Sequence, residues 1–224
     1  HYGMYYKLIS NIDLNNIEWT PIGVYYSSAS SYSYSRTFCG SFDGDGYVVS
    51  NLKVSTNQSF YRYFGLFGML NGKVKNLGVE NVNISITSAS TLTHCGGISG
   101  YGGTITNCYT TGSVSAYITD INYAYAGGIC GKGGTITNCY SSVNVHASSN
   151  KYYAYAGGLV GEIGGYITNS FASGNVSAAT SDRYYPAYFG GLVGYSRNQG
   201  STYVVNSYRY ENQSVVNHIL YNPN

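Results

Sequence analysis

Two carboxylates stand two residues apart in the segment Asp43-Gly44-Asp45-Gly46, where they could act as paired acid–base groups or as calcium ligands. The same segment is typical of a tight turn, because glycine accepts a positive φ and aspartate bonds nearby backbone groups. A polysaccharide-cleaving site needs two carboxylates that face one bond. The other acidic residues are isolated along the chain: Asp13, Glu18, Glu80, Asp120, Glu162, Asp182 and Glu211. We therefore expect a turn at this segment and a protein that is not an enzyme.

Histidine and lysine add no cofactor or metal site to this pattern. His94 and His146 lie in or beside variable segments, and their spacing is not that of zinc ligands. The stretch Gly131-Lys132-Gly133-Gly134-Thr135 is superficially similar to a phosphate-binding loop. It lacks the Gly-Lys-Ser/Thr order, and no helical pattern follows it. We expect neither a cofactor nor a bound metal.

Tyrosine offers the stronger candidate surface, because the chain contains 28 tyrosines. When the repeats described below are aligned on their double glycines, His94, Tyr125, Tyr155 and Tyr188 occupy one column. Such a column could stack sugar rings or contact a protein, since tyrosine gives a large amphipathic surface at low entropy cost. The alternative is that the column packs on the protein's own surface. The hypothesis places a glycan or protein partner at Tyr125, Tyr155 and Tyr188.

Four Asn-x-Ser sequons could accept N-linked glycans if the chain is secreted. Their asparagines are Asn57, Asn83, Asn175 and Asn212.

Five cysteines occur, and two of them, Cys108 and Cys139, hold the same repeat position. Adjacent strands lie about 4.8 Å apart, which is within the Cα range of a disulfide. An odd number of cysteines also fits buried free thiols that act as small apolar groups. The sequence leaves both states open for this pair.

A two-part sequence motif, which recurs along the chain, sets the spacing of these residues. It is clearest in Gly157-Gly158-Leu159-Val160-Gly161, followed by Tyr166-Ile167-Thr168-Asn169-Ser170-Phe171. It occurs five times, and its asparagines are separated by 31, 31, 31 and 37 residues. A fixed period of this length indicates a repeat array. The aligned asparagines should form a hydrogen-bonded ladder at a corner, and they are Asn51, Asn76, Asn107, Asn138, Asn169 and Asn206.

The repeat predicts an all-β protein, a parallel β-helix with three strands per turn, about seven rungs and no significant helix. We expect a right-handed coil, since parallel crossovers are almost always right-handed. An inward-facing column should form the core, and its members are Val49, Val74, Ile105, Ile136, Ile167 and Val204. The chain is expected to be a single domain over 1–224. A cap and the first rungs fill 1–54, five repeats fill 60–210 and a tail fills 211–224.

Composition narrows the classes of partner. Charged residues make up 9% of the 224 residues, and the net charge of +2 includes no basic run, so nucleic-acid binding is not expected. No apolar run approaches the roughly 20 residues that span a bilayer, so membrane insertion is not expected. The chain begins at His1, which suggests a mature fragment or a module of a longer protein.

The Gly-Gly-Leu-Val-Gly phrase at 157–161, with Ile-Thr-Asn-Ser-Phe at 167–171 and Gly-Asn-Val-Ser at 174–177, resembles the GLUG motif repeat family. The resemblance covers nearly the whole chain. It implies a parallel β-helix in secreted or surface-attached microbial proteins, including adhesin-like proteins and the non-catalytic region of immunoglobulin A-specific metallopeptidases. The family supplies no catalytic residues to carry over, and this chain departs from it in its tyrosine density.

Two functions follow as hypotheses. The first is a non-enzymatic extracellular or cell-surface module with a structural or adhesive role, which could self-assemble into a homo-oligomer or filament because the last rung, at 204–208, has little after it that could cap it. The second is a carbohydrate-binding module that uses the tyrosine column. A polysaccharide-active enzyme is a third hypothesis, which the scarcity of ionisable residues disfavours.

Overall fold

A computed structural model describes residues 3–23, 25–27, 33–55, 62–89, 92–196 and 203–219. Every regular element among these residues is a β-strand, and none of them is helical. The first half of the strands comprises β1 (Tyr5–Lys7), β2 (Ile12–Asp13), β3 (Tyr25–Ser27), β4 (Ser33–Ser35), β5 (Ser41–Asp43), β6 (Val48–Ser50), β7 (Lys53–Val54), β8 (Tyr63–Phe64), β9 (Phe67–Met69), β10 (Lys73–Lys75), β11 (Gly78–Ser88), β12 (Thr93–Gly96), β13 (Ser99–Tyr101), β14 (Thr104–Thr106) and β15 (Tyr109–Ile118). The second half comprises β16 (Ala124–Gly127), β17 (Cys130–Lys132), β18 (Thr135–Thr137), β19 (Tyr140–Ser141), β20 (Asn144–Ser149), β21 (Ala154–Gly157), β22 (Val160–Ile163), β23 (Tyr166–Thr168), β24 (Phe171–Ala172), β25 (Val176–Thr180), β26 (Ala187–Gly190), β27 (Val193–Ser196), β28 (Tyr203–Val205), β29 (Tyr208–Arg209) and β30 (Val215–Ile219).

Parallel pairing of strands from successive repeats builds four long sheets. The first sheet has the order β1-β5-β10-β14-β18-β23-β28. The second follows β2-β6-β11-β15-β19-β24-β29 and is widened by β7, β20, β25 and β30. The third is β26-β21-β16-β12-β8, and the fourth is β27-β22-β17-β13-β9. The chain visits the four sheets in turn and is therefore an all-β parallel solenoid, as predicted.

The solenoid has about five complete turns, fewer than the seven predicted. The third and fourth sheets contain five strands each. The first two rungs add strands only to the first and second sheets, where β1, β5, β2 and β6 lie. The sequence pattern counted these partial rungs as whole ones. The right-handed sense of the coil stays a prediction.

Each complete turn crosses four sheets, whereas three strands per turn were predicted, and glycine explains the additional corner. In β16 and β17, a Cβ on Gly127 would overlap the carbonyl oxygen of Cys130, and a Cβ on Gly131 would lie 2.7 Å from the backbone nitrogen of Cys95. Only glycine permits backbones to approach so closely. The Gly-x-x-Gly phrase therefore lets the chain fold back sharply, and the fourth sheet packs against the third.

The core column lies in the first sheet. Val74, Ile105, Ile136, Ile167 and Val204 are partners on successive strands, and the three isoleucines are fully buried. Val204 is 46% exposed because it lies on the last strand of the sheet.

Val49, which the sequence placed in the same column, lies in the second sheet, where it pairs with Val79. The position beneath Val74 in the first sheet, which was expected for Val49, is occupied by Phe42.

Polar side chains cover part of the interior at the C-terminal end. Arg209 occupies the position that Ala172 holds one turn earlier. Gln213 is buried, and its Nε2 donates hydrogen bonds to the carbonyl oxygens of Gly174 and Gly191, at 2.5 and 3.2 Å. Capping residues of this kind protect the open end of a solenoid. This cover is partial, because Val204 and Val205 on the last strand of the first sheet remain 46% and 45% exposed, and the uncapped last rung stays a prediction.

Candidate binding surface

The repeated asparagines lie at the corner between the first and second sheets. Asn76, Asn107, Asn138 and Asn169 have φ angles of 53°, 53°, 51° and 49°. Asparagine is one of the few non-glycine residues that adopts this left-handed conformation readily. The sequence therefore places asparagine here because the corner requires a positive φ. Asn206 continues the corner on the last turn with a φ of 46°.

These side chains also bond to one another along the axis. The Nδ2 atoms of Asn107, Asn138 and Asn169 donate to the Oδ1 atoms of Asn76, Asn107 and Asn138, at 3.1, 3.1 and 3.2 Å. Asn107, Asn138 and Asn169 are exposed to solvent. We call Asn76, Asn107, Asn138, Asn169 and Asn206 the asparagine ladder.

Asn51 does not belong to this ladder. Its φ is 60°, and its Nδ2 donates to Oδ1 of Asp13 at 2.7 Å, while Nδ2 of Asn81 donates to Oδ1 of Asn51 at 3.3 Å. These residues form a second, shorter ladder at another corner. Sequence reasoning missed Asn81, although Val79-Glu80-Asn81 repeats the apolar-polar-Asn order of the first corner.

The carboxylate of Asp43 forms the base of the asparagine ladder. It is buried, and it accepts hydrogen bonds from Tyr5 Oη at 2.7 Å, Asn76 Nδ2 at 3.0 Å and the backbone nitrogen of Asp45 at 2.9 Å. Lys75 Nζ lies 2.9 Å from it. The hydrogen bond from Tyr5 and these other donors hold the pKa of Asp43 well below its usual range.

The two carboxylates that could have formed an acid–base pair are therefore bound into the fold separately. Asp45 forms its own ion pair with Lys7, at 2.8 Å. Within the described ranges, no three His, Cys, Asp or Glu side chains approach closely enough to hold a metal ion.

The predicted tyrosine column exists, but most of it is buried. His94, Tyr125, Tyr155 and Tyr188 are partners on successive strands of the third sheet. The ring centroids are 4.5, 4.7 and 5.4 Å apart, and the planes differ by less than 10°. Tyr125 is only 2% exposed and Tyr155 only 5%. The candidate binding face is therefore internal at Tyr125 and Tyr155, because the fourth sheet folds back over them, whereas Tyr188 on the last strand of the sheet is half-buried.

A charged pair lies in this internal stack. Lys132 Nζ is 3.2 Å from Oε2 of the buried Glu162, and it also lies 4.6 Å from the ring centroid of Tyr125. Burial, followed by the charge of Glu162, raises the pKa of Tyr155. Burial, with a smaller effect of Lys132, lowers the pKa of His94 to about 3. His94 is thus neutral at physiological pH and acts as one more aromatic ring in the stack.

A different aromatic column is exposed. Tyr109, Tyr140, Phe171 and Tyr208 are partners along the outer face of the second sheet, and we call them the aromatic strip. Tyr140 is 38% exposed and Tyr208 is 66% exposed. The signal was present in the sequence, because each of these rings follows a ladder asparagine by two residues.

The base of the aromatic strip is anchored on glycine. A Cβ on Gly78 would overlap the ring of Tyr109, so this ring passes directly over Gly78 on the preceding strand. The Tyr109 hydroxyl donates to Oε1 of Glu80, and this bond raises the pKa of Tyr109 to about 12. Beside the strip, a groove of about 450 Å³ is lined by Asn107, Cys108, Tyr109, Asn138 and Tyr140.

The cysteines are free thiols in this structure. Cys108 and Cys139 are buried, and each Sγ donates to the carbonyl oxygen two residues earlier, both at 3.2 Å. Ser170 and Ser207 make the same bond one and two turns later, both at 2.9 Å. This position thus takes a small side chain that can donate a hydrogen bond.

The sequons differ in their surroundings. Asn83 is exposed on β11 of the second sheet, Asn175 is exposed directly before β25, and Asn212 is exposed in a turn. Asn57 lies outside the described residues. His146, considered above for metal binding, has its Nδ1 2.8 Å from Oγ of Ser177.

Comparisons with known proteins support the fold. No family model matches the chain. Over 115 residues, or 49% of the chain, it is 33% identical to Halomucin of Haloquadratum walsbyi, of which it spans about 1%. It also superposes on the crystal structure of a Bacteroides ovatus protein assigned as an immunoglobulin A1 protease, with a TM-score of 0.67 and 23% identity. That alignment covers 98% of this chain and 72% of the other, and at this identity the likeness shows the fold alone.

In the part of the chain that the structure describes, no helix is long and apolar enough to cross a membrane.

Proposed function

We propose that this chain is a non-catalytic module of a secreted or cell-surface protein, with a structural and adhesive role. Its rigid solenoid presents the aromatic strip and the asparagine ladder as a lateral binding surface. The observation that carries this proposal is the exposure of Tyr140 and Tyr208 beside an exposed row of amides. Exposed tyrosine, together with adaptable amide groups, is typical of binding surfaces.

The use of the ionisable residues supports a non-catalytic role. Asp43 and Asp45 are each held by a lysine, and Glu162 is paired with Lys132 inside the stack. Each of these carboxylates stabilises a corner or a buried cluster and is not aimed into the groove. A polysaccharide-active enzyme, the competing function, would need two carboxylates across one bond.

The comparisons support the proposed location. The match to Halomucin is consistent with a surface protein, and the GLUG resemblance implies secreted or surface-attached proteins. The name of the Bacteroides ovatus protein raises proteolysis of immunoglobulin A as a further competing activity. The polar cover of Arg209 and Gln213 favours a lateral rather than an end-to-end binding surface.

Adhesion of coated beads tests the proposal. Beads that carry the protein should be retained under flow on mucin-coated or polysaccharide-coated glass. Beads that carry the Tyr140→Ala/Phe171→Ala double variant should be retained no more than beads coated with albumin. Equal retention of the two would contradict the lateral surface.

Incubation with substrates tests the non-catalytic role. Immunoglobulin A and the same polysaccharides should remain intact by gel electrophoresis and by reducing-end assay. Turnover of either substrate would contradict this part of the proposal.

A further inference from the structure

We infer that the aromatic strip and the asparagine ladder together bind an uncharged polysaccharide chain that lies along the solenoid axis. The inference rests on the proposed function, since it names the ligand class of that lateral surface.

The two rows supply the two kinds of contact that a sugar chain needs. Each repeat adds one amide and, two residues later, one ring, as in Asn138 and Tyr140. Pyranose residues present C–H groups, which pack on aromatic rings, and hydroxyl groups, which bond to amides. The groove between Asn107, Asn138, Tyr109 and Tyr140 has both kinds of group in its lining. Since both rows repeat with every turn, the surface matches a polymer better than a single sugar.

The rings in the strip are offset from one another, so that they remain partly accessible. The centroids of Tyr109 and Tyr140 are 6.4 Å apart, and those of Tyr140 and Phe171 are 5.8 Å apart. Both distances exceed the strand spacing of about 4.8 Å. The rings of the buried column, at 4.5 and 4.7 Å, are stacked more closely. The offset explains why Tyr140 keeps 38% of its surface exposed between two ring neighbours.

The ladder amides have hydrogen-bonding capacity beyond the ladder itself. An asparagine side chain has two N–H donors and two acceptor lone pairs, and the ladder uses one of each. The second N–H and the second lone pair of Asn138 lie at an exposed corner. This N–H can therefore donate a hydrogen bond to a sugar hydroxyl, and this lone pair can accept one from a sugar hydroxyl, while the ladder hydrogen bonds stay intact.

The scarcity of charged side chains along the aromatic strip favours an uncharged polysaccharide as the ligand. Among the described residues, Glu80 lies beside the first ring of the strip and Arg209 directly follows the last. Between them, the segments 107–109, 138–140 and 169–171 contain only amide, thiol, hydroxyl and aromatic side chains. An acidic polysaccharide would require arginine or lysine along the groove.

Gel-retardation electrophoresis and titration calorimetry test the inference with soluble β-glucan, α-mannan, amylose and, as an acidic control, alginate. At least one uncharged polysaccharide should retard and bind the wild-type protein, and alginate should bind more weakly. The Tyr140→Ala/Phe171→Ala double variant should lose about tenfold in affinity or more, as is typical when central aromatic contacts are removed. Tyr184→Ala is the matched control, because Tyr184 is 69% exposed and lies outside the strip.

Circular dichroism establishes that the double variant is folded. If it is not, Asn138→Gly replaces it, because glycine keeps the left-handed backbone and removes the amide; the same loss of affinity is expected. Unchanged affinity in a folded variant overturns the inference, as does stronger binding to alginate or no binding to any uncharged polysaccharide. Adhesion to mucin-coated glass without polysaccharide binding overturns this ligand class and leaves the proposed function standing, whereas loss of both overturns both.

Discussion

Asn138 donates a hydrogen bond from its Nδ2 to Oδ1 of Asn107 across 3.1 Å, and its own backbone has a φ of 51°. One residue type thus meets two needs at each turn of the solenoid. Its backbone tolerates the left-handed corner, and its amide links that corner to the one below. The side chain is exposed, so the backbone conformation rather than burial of the amide makes asparagine necessary here.

The first prediction separates these two needs at Asn138. Asn138→Ala removes the ladder bonds and places a Cβ-bearing residue without a compensating side chain in the left-handed region. Asn138→Gly removes the same bonds but adopts this φ freely. We expect Asn138→Ala to lower the free energy of unfolding by about 1 kcal/mol more than Asn138→Gly does. Urea denaturation followed by circular dichroism measures both.

Asn83→Ala is the control for this pair, because Asn83 is an exposed asparagine within a strand and its backbone is not left-handed. It should change the unfolding free energy by no more than about 0.5 kcal/mol. Equal stability of the alanine and glycine variants at 138 would show that the corner does not depend on φ.

The second prediction concerns the glycine phrase. A Cβ at Gly127 would overlap the carbonyl oxygen of Cys130, so Gly127→Ala must push the third and fourth sheets apart. Overpacking against backbone cannot be relieved by a side-chain rotation. We expect a loss of about 3 kcal/mol or more in unfolding free energy, or failure to fold.

Gly164→Ala is the matched control for Gly127→Ala, because a Cβ there would meet only Gly133 Cα, at 3.7 Å, and its φ is not positive. Gly164→Ala should therefore be neutral or slightly stabilising. Thermal melts of both variants provide the comparison, and a Gly127→Ala protein that melts with the wild type would contradict the proposed close approach.

The repeat made much of this fold predictable from the sequence. The spacing of Asn107, Asn138 and Asn169 was sufficient to place three consecutive corners, because a parallel solenoid puts residues one period apart directly above one another. Asn51 was assigned to the wrong corner for a local reason. Both corners require a left-handed residue after a strand, so Val49-Ser50-Asn51 and Val74-Lys75-Asn76 share the same apolar-polar-Asn order.

The exposed aromatic residues could not be identified in the same way. Tyr125 and Tyr140 both point away from the core of their own sheets, and strand alternation alone predicts the same environment for each. They differ because the fourth sheet covers Tyr125 and nothing among the described residues covers Tyr140 to the same extent. That cover depends on the sharp fold-back at Gly127 and Gly131, whose geometry is a tertiary property.

The third prediction concerns acid stability. The pKa of Asp43 lies below the value of about 3.9 expected in the unfolded chain. The folded state therefore binds fewer protons, and the contribution of Asp43 is complete above about pH 5 and is lost as the pH falls below 4. Asp43→Asn should lower the melting temperature at pH 7. It should also reduce the further loss of stability between pH 5 and pH 2, as measured by thermal melts across this range.

Asp120→Asn is the control for this pH dependence, because Asp120 pairs with Lys151 at an exposed site. Exposed pairs contribute little, so this variant should follow the wild-type curve. If Asp43→Asn retained the full acid sensitivity of the wild type, another carboxylate would be responsible.

The fourth prediction concerns the charged pair inside the tyrosine stack. Lys132→Met leaves the buried carboxylate of Glu162 without its cation, which lies 3.2 Å away in the wild type. Breaking a fully buried pair costs about 3–5 kcal/mol. We expect a smaller loss here, because the Lys132 side chain retains 22% exposure. Adding Glu162→Gln removes the buried negative charge and should recover part of this loss, so a double-mutant cycle in urea should give a coupling energy well above zero. Lys151→Met at the exposed pair should change stability by no more than about 0.5 kcal/mol. Additive effects of the two changes at 132 and 162 would mean that the ion pair does not stabilise the stack.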